Sequence, residues 1–285
     1  MRGAAEGKNG VYAWGSSLYL WPPSGGVAKQ VARSLRGGFG EGGCIDGDAI
    51  VLQDGMPLGD LVRISAGGRR LVLDHDVEMH DCAAATLLGK RGILVVHRYA
   101  QVRFYSQGGV QELYSFYTAS KQGGLLLADV NGDGRTDILC GNYWILSPGA
   151  FDLPWRLFAI NTRHETPDSA TFRLAWLGRD LIAAQAHMAD GAVFQYSPPA
   201  DATQQWPETL VTTLRSPHAM VPTPRGVVIG ENAGPGSRVV VVEPGGTVRD
   251  LGTTSGAHTA LLVRGRVALV GAGRISWIDL ASRPR

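Results

Sequence analysis

No run of this chain approaches the roughly 18 consecutive apolar residues of a membrane-spanning helix. No stretch repeats its apolar residues every three to four positions over three turns either, which argues against a helical bundle. The opening segment, residues 1–10, lacks the apolar core of an export signal, so the expected location is cytoplasmic, with no membrane partner. A basic stripe is missing as well. With a formal net charge of +2, phosphate neutralisation cannot drive binding, and nucleic acid is set aside as a partner. Cysteine is scarce: Cys44, Cys82 and Cys140 each sit in an apolar run, and the odd number reads as buried reduced thiols, with one disulfide as the alternative. The Gly-x-Ser-x-Gly elbow, the phosphate loop, the Cys-x-x-Cys pair and the His-Glu-x-x-His metal motif do not occur. Gly37–Gly43 is rich in glycine but precedes a strand pattern and not a helix, so it reads as a turn.

What is present is glycine. Its 39 copies among 285 residues exceed the usual share of about 7% and are spread along the chain, as repeated tight turns would be. Between them lie β-rich apolar runs of four to eight residues, among them Ala49–Leu52, Leu61–Ile64, Arg70–Leu73, Gly92–His97, Val102–Tyr105 and Val239–Val242. Short strands at regular spacing indicate a sandwich, a barrel or a propeller. A longer repeat decides among them. Segments beginning near Gly43, His80, Gly124, Ala170, His218 and His258 can be laid over one another, each opening with small or apolar residues and turning at Gly or Asp. Their spacing, roughly 40–50 residues, is the length of a four-stranded propeller blade. Residues 11–35 add a partial blade. The reading is an all-β chain forming a single β-propeller domain over residues 1–285, of seven four-stranded blades, or six if the two ends merge. In that arrangement an N-terminal strand completes the last sheet.

The strongest local motif is Asp129-Val-Asn-Gly-Asp-Gly-Arg-Thr-Asp137. Side-chain oxygens of Asp129, Asn131, Asp133 and Asp137, with the carbonyl of Arg135, can surround one hard cation. Calcium takes six to eight such oxygens at about 2.3–2.6 Å. Gly132 and Gly134 let the backbone curl between the ligands. An EF-hand is excluded, because its twelfth position would be Cys140 and not Glu, and because both flanks read as strands. The loop resembles the FG-GAP or VCBS repeat of integrin-like and lectin-like propellers. That resemblance covers one blade, Gly123–Tyr143, and implies a calcium loop between the first two strands of the blade. The corresponding positions of the other blades, such as Gly47-Asp48 and Gly178-Arg179-Asp180, are plain turns. The expected calcium is therefore a single structural ion.

Three of the seven histidines, His80, His218 and His258, fall where the chain enters an innermost strand. A second set of positions, where the second strand ends on the same face, holds Gln53-Asp54, His97-Arg98-Tyr99, Asn142-Tyr143, His187 and Glu231-Asn232. Loops at one end of a rigid scaffold are a common place for binding and catalysis. Gathered around a common axis, His80, His218 and His258 would suit a divalent transition metal such as zinc, manganese or iron. His187 or His97 would then serve as base and Tyr143 or Tyr99 as acid, with Asn142, Glu231, Asn232 and Arg98 holding the substrate. Glu78 and Asp81 would orient His80. The alternative for each imidazole is a hydrogen-bonded structural residue. Most of the tryptophans read as packing between blades, and Trp144 as a platform for a sugar face.

Combined with channel-facing histidines, the acidic loop is similar to the propeller of the aldos-2-ulose dehydratases, and the metal-plus-histidine chemistry resembles virginiamycin B lyase and the propeller oligogalacturonate lyases. These resemblances imply a metal-dependent lyase or isomerase that abstracts a proton next to a carbonyl of a small polar, sugar-derived substrate. The other reading is a non-catalytic, calcium-stabilised propeller that binds carbohydrate or protein. The sequence sets no oligomeric state.

Overall fold

The computed structural model describes residues 1–22, 26–97, 101–115, 124–161, 172–186, 188–271 and 273–280, and among these every regular element is a strand. The strands form seven antiparallel sheets, the blades of a β-propeller. By its internal contacts the chain divides into two compact units, Met1–Tyr117 and Thr118–Arg285.

The first unit holds three sheets. One comprises β1 (Gly3–Gly7), β2 (Gly10–Trp14), β3 (Ser17–Trp21) and β4 (Lys29–Arg33). The next comprises β5 (Phe39–Asp46), β6 (Ala49–Asp54), β7 (Gly59–Ser65) and β8 (Arg70–Val77). The third comprises β9 (Met79–Leu87), β10 (Lys90–His97), β11 (Gln101–Ser106) and β12 (Gly109–Tyr114). The second unit holds four more. They are β13 (Leu126–Ala128), β14 (Asp137–Cys140), β15 (Tyr143–Leu146) and β16 (Arg156–Ala159); β17 (Phe172–Leu177), β18 (Asp180–Gln185), β19 (Gly191–Tyr196) and β20 (Glu208–Leu214); β21 (Pro217–Thr223), β22 (Gly226–Glu231), β23 (Ser237–Val242) and β24 (Val248–Thr254); and, with three described strands, β25 (Thr259–Val263), β26 (Arg266–Gly271) and β27 (Arg274–Asp279).

Each sheet is a meander whose strands change character from the first to the fourth. The second strands β6 and β22 are buried at every residue, whereas the fourth strands β4 and β8 are largely exposed. Strands covered on both faces read as continuous apolar runs, which is why Ala49–Leu52 and Val227–Ile229 stand out in the sequence. Within the first unit, first strands pack on one another, β1 on β5 and β5 on β9; in the second unit β17 packs on β21 and β21 on β25. The apolar core is correspondingly divided into layers between sheets. Tyr12, Trp14, Phe39, Ile50 and Leu52 fill one in the first unit, and Trp144, Phe172, Phe194, Tyr196 and Trp206 fill one in the second. Fully burying one such side chain contributes about 1.5–3 kcal/mol.

The anticipated turns are where the glycines put them. Leu88-Gly89 and Arg264-Gly265 both have φ near +50° and +80° at successive residues, the left-handed pair that a two-residue hairpin turn needs. Two expectations are corrected. The N-terminal blade is complete and not partial: residues 3–7 pair with β2, so this strand belongs to its own sheet and not to the last one. Cys44 and Cys82 are not reduced thiols but a disulfide with a Cα–Cα distance of 5.6 Å; Cys140 is buried and free. The reason lies in the packing of β5 on β9, which sets two successive first strands side by side.

Candidate functional site

His80 and His218 occupy the same structural position, and a β-bulge creates it. In the third sheet Met79 pairs with His97 and Asp81 with Val96, leaving His80 as the extra residue. In the sheet of β21, Pro217 pairs with Glu231 and Ala219 with Gly230, leaving His218 as the extra residue. A bulge bends its strand and re-aims the side chain it carries. His258 stands one residue before β25, its backbone N–H donating to Val270 O at 2.9 Å. The second set of predicted residues also lies where expected, with Asp54, His97 and Glu231 closing β6, β10 and β22, and with Asn142 following β14 and Tyr143 opening β15.

In the first unit His97 joins a partly buried chain of polar groups. Tyr105 Oη lies 2.9 Å from His97 Nε2 and 2.7 Å from Asp74 Oδ2. Arg103 Nη1 reaches the same carboxylate at 3.1 Å, and the His75 N–H donates to Asp74 Oδ1 at 2.9 Å. Burial raises the Asp74 carboxyl, but the bonds from Tyr105 and His75 and the charge of Arg103 outweigh it and hold the group below its usual range. The carboxylate is therefore the acceptor, the single Tyr105 hydroxyl hydrogen points to it, and His97 Nε2 carries the hydrogen donated to Tyr105 Oη. Burial, followed by the charge of Arg103, pushes the His97 imidazole down to about 4 against the opposing pull of Asp74. Burial and Asp74 push the Tyr105 phenol up. An effective general acid or base titrates near the working pH. The shifts carry His97 and Tyr105 away from neutrality in opposite directions. His80 Nε2 lies 3.7 Å from Glu78 Oε1, and Asp81 Oδ1 accepts the backbone N–H of Cys82 at 2.9 Å.

In the second unit His218 and His258 meet edge to face with ring centroids 5.4 Å apart. His218 Nδ1 lies 2.7 Å from the carbonyl of His258, so it bears the hydrogen; Asn232 Nδ2 donates to His258 Nδ1 at 3.3 Å. Glu231, buried, accepts three donors: the N–H of Arg215 at 2.9 Å, the N–H of Arg238 at 2.8 Å, and Arg215 Nη2 at 3.3 Å. Asn142 is buried, and its backbone carbonyl accepts the N–H of Ile160 at 2.7 Å; Tyr143 is half-buried. The expected sugar platform is absent at Trp144. That ring is fully buried, stacked on Phe158 at 4.9 Å with its N–H on Ala202 O, because it faces the layer between sheets. Arg98, Tyr99 and His187 lie outside the described residues.

The acidic loop joins β13 to β14, as its sequence predicted. Gly132 and Gly134 have φ of +76° and +81°, and the backbone curls so that Asp129 accepts the N–H groups of Asp133 at 3.0 Å and Gly134 at 2.9 Å. Asn131 Nδ2 donates to Asp133 Oδ2 at 2.9 Å, and the Arg135 guanidinium pairs with Asp133. Asp137 is fully buried, with Val130 N–H on one oxygen at 3.1 Å and Ser147 N–H on the other at 2.8 Å. Burial and the nearby Asp133 and Asp129 carboxylates nevertheless raise its carboxyl above the usual range. An all-oxygen donor set around a carboxylate crowded by others of its sign fits a hard divalent cation.

The residues that sequence reasoning missed are Asp74, Arg103 and Tyr105. They come from β8 and β11, in different sheets, and no local motif links them to His97.

No protein-family model matches this chain, and no curated protein matches it. Solved structures do match in fold. YCF48 from Cyanidioschyzon merolae is 12% identical, with a TM-score of 0.64 over 97% of this chain and 94% of that one. A YCF48 structure bound to D1 peptide is 13% identical, with a TM-score of 0.61 over 98% and 91%. A chain of a mitotic checkpoint complex is 10% identical, with a TM-score of 0.62 over 95% and 84%. At such identities the likeness concerns the fold alone.

Proposed function

We propose that this protein is a non-catalytic binding propeller that takes a peptide or protein segment as its ligand and holds one structural calcium ion in the Asp129–Asp137 loop. The observation that carries this reading is the state of the candidate acid–base groups. His97 is committed to Tyr105 and Asp74, and Glu231 to three N–H donors. A lyase needs such groups to exchange protons with substrate; here they fasten strand ends. Trp144 lies inside the core, which removes that ring as a stacking surface for the carbohydrate alternative. Two of the matching folds were solved with partners, one bound to a peptide and one within a checkpoint complex, which supports protein over small-molecule recognition as the use of this scaffold.

Asp129, Asn131, Asp133 and Asp137 would hold the calcium, as the resemblance to FG-GAP loops implies. The ion would offset the charge crowding at Asp137 and pin the β13–β14 turn. The Cys44–Cys82 disulfide favours an oxidising compartment over the cytoplasm.

The test pairs two assays on the purified chain. A displayed random-peptide library is expected to yield saturable binders. Sugar acids and ketoses, followed by NMR with zinc, manganese or iron added, are expected to remain unchanged. Metal-dependent elimination or isomerisation that disappears in His97→Gln would overturn the reading.

A further inference from the structure

The first unit carries a cleft of about 980 Å³ whose chemistry the candidate site does not use, apart from sharing Tyr105 as a wall. It opens where the apolar layer between the sheets of β5–β8 and β9–β12 runs out. The register of β7 with β8 shifts at Leu73, which packs at the end of that layer, and Leu71 lines the same cleft farther out, 56% exposed. Around these leucines stand four cationic side chains, Lys8, Arg63, Lys90 and Arg91, against two carboxylates, Asp46 and Asp48. Asp46 sets the direction of two of the cations, taking Arg63 Nε at 2.7 Å on one oxygen and Arg91 Nη2 at 3.4 Å on the other. Asp48 lies farther off, 3.7 Å from Arg63. The cleft is thus net positive, has an apolar floor, and is partly organised before any ligand arrives. One wall is β8, the edge strand of its sheet, paired among the described strands with β7 alone. Edge strands offer backbone donors and acceptors to an extended chain.

We infer that this cleft binds an extended acidic peptide segment, with its carboxylates on Lys8, Lys90 and Arg91 and an aliphatic side chain against Leu71. The inference rests on the binding reading and names the place and the chemistry of the ligand. Excess positive charge selects the sign of the partner and speeds encounter, while the leucines reward an aliphatic residue between the acids.

The experiment is fluorescence anisotropy with a fluorescein-labelled decapeptide of alternating glutamate and leucine, beside matched lysine–leucine and glutamate–serine peptides. The glutamate–leucine probe is expected to bind more tightly than both, and less tightly as salt rises. Its affinity is expected to fall about tenfold or more in a Lys90→Glu, Arg91→Glu double variant and in Leu71→Asp, as for lost charge pairs and apolar anchors at an interface. It should be unchanged in Leu210→Ser, an exposed site on β20. Lys8→Glu, at another exposed position, provides a second charge reversal should the double variant melt early. Equal binding of acidic and basic probes, or full binding by the reversed variants, overturns the inference. If library-selected peptides bind the reversed variants as well as the parent, the cleft assignment fails and the binding reading stands. If neither the probes nor the library bind, both fail.

Discussion

Asp54 and Asp137 are both fully buried aspartates on the second strands of their sheets, yet their carboxyls shift in opposite directions. Burial alone raises each. At Asp54 the chain answers with the Ser34 hydroxyl, the Leu35 N–H at 3.0 Å and the Arg70 guanidinium, and the net shift is downward. At Asp137 two N–H groups are offset by the Asp129 and Asp133 carboxylates, and the net shift is upward. The first carboxylate has its cation built into the fold; the second has anions for neighbours. A buried charge left without its partner is costly, so the two sites are expected to answer differently to mutation and to added ions.

The largest effect is expected at the self-sufficient site. Arg70→Ala leaves Asp54 buried without its cation and should cost about 3–5 kcal/mol in urea unfolding. A loss below about 1 kcal/mol would show that Ser34 and Leu35 suffice. Next comes a pH effect at His97, another buried ionisable group of the first unit. His97 titrates at about 4 in the fold against 6.5 when free. Its contribution is therefore complete above pH 6.5 and is lost as pH falls toward 4, on the order of 3 kcal/mol in all. Urea midpoints at pH 7 and pH 4.5 should diverge in the parent and draw together in His97→Phe; parallel behaviour would remove His97 as the cause. The third effect sharpens the contrast at Asp137. Calcium at a hundredfold excess over its Kd should stabilise the chelator-treated protein by about 2.7 kcal/mol. Because the Asp137 carboxyl is raised, protons compete with the ion, and the gain should shrink as pH falls through the acid range. Asp137→Asn should abolish it. A calcium response that survives in that variant would place the ion elsewhere.

These sites were legible in the sequence to different degrees. The blades could be read because Gly47, Gly89, Gly178 and Gly265 punctuate them and because doubly covered second strands such as Ala49–Leu52 form unbroken apolar runs. The Asp129–Asp137 loop could be read because all its groups lie within nine consecutive residues. The equivalence of His80 and His218 was visible as spacing, but the bulge that singles them out was not, since a bulge is a relation between two strands. For the same reason Tyr105 and Asp74, which decide what His97 can do, carried no signal. Cys44 and Cys82 were 38 residues apart with nothing local to mark them as neighbours. Trp144 shows the limit of a local motif: Asn142-Tyr143-Trp144 suggests a sugar platform until the packing of Phe158 and Ala202 is seen.

The claim that buried polar groups here fasten the fold and do not perform proton transfer is tested most directly by nitrogen-15 NMR of the His97 ring across pH. A neutral imidazole with its hydrogen on Nε2, persisting until about pH 4, is the predicted result. Titration near 6.5 would mean that His97 is free to exchange protons near neutrality, and the binding reading would lose its main support.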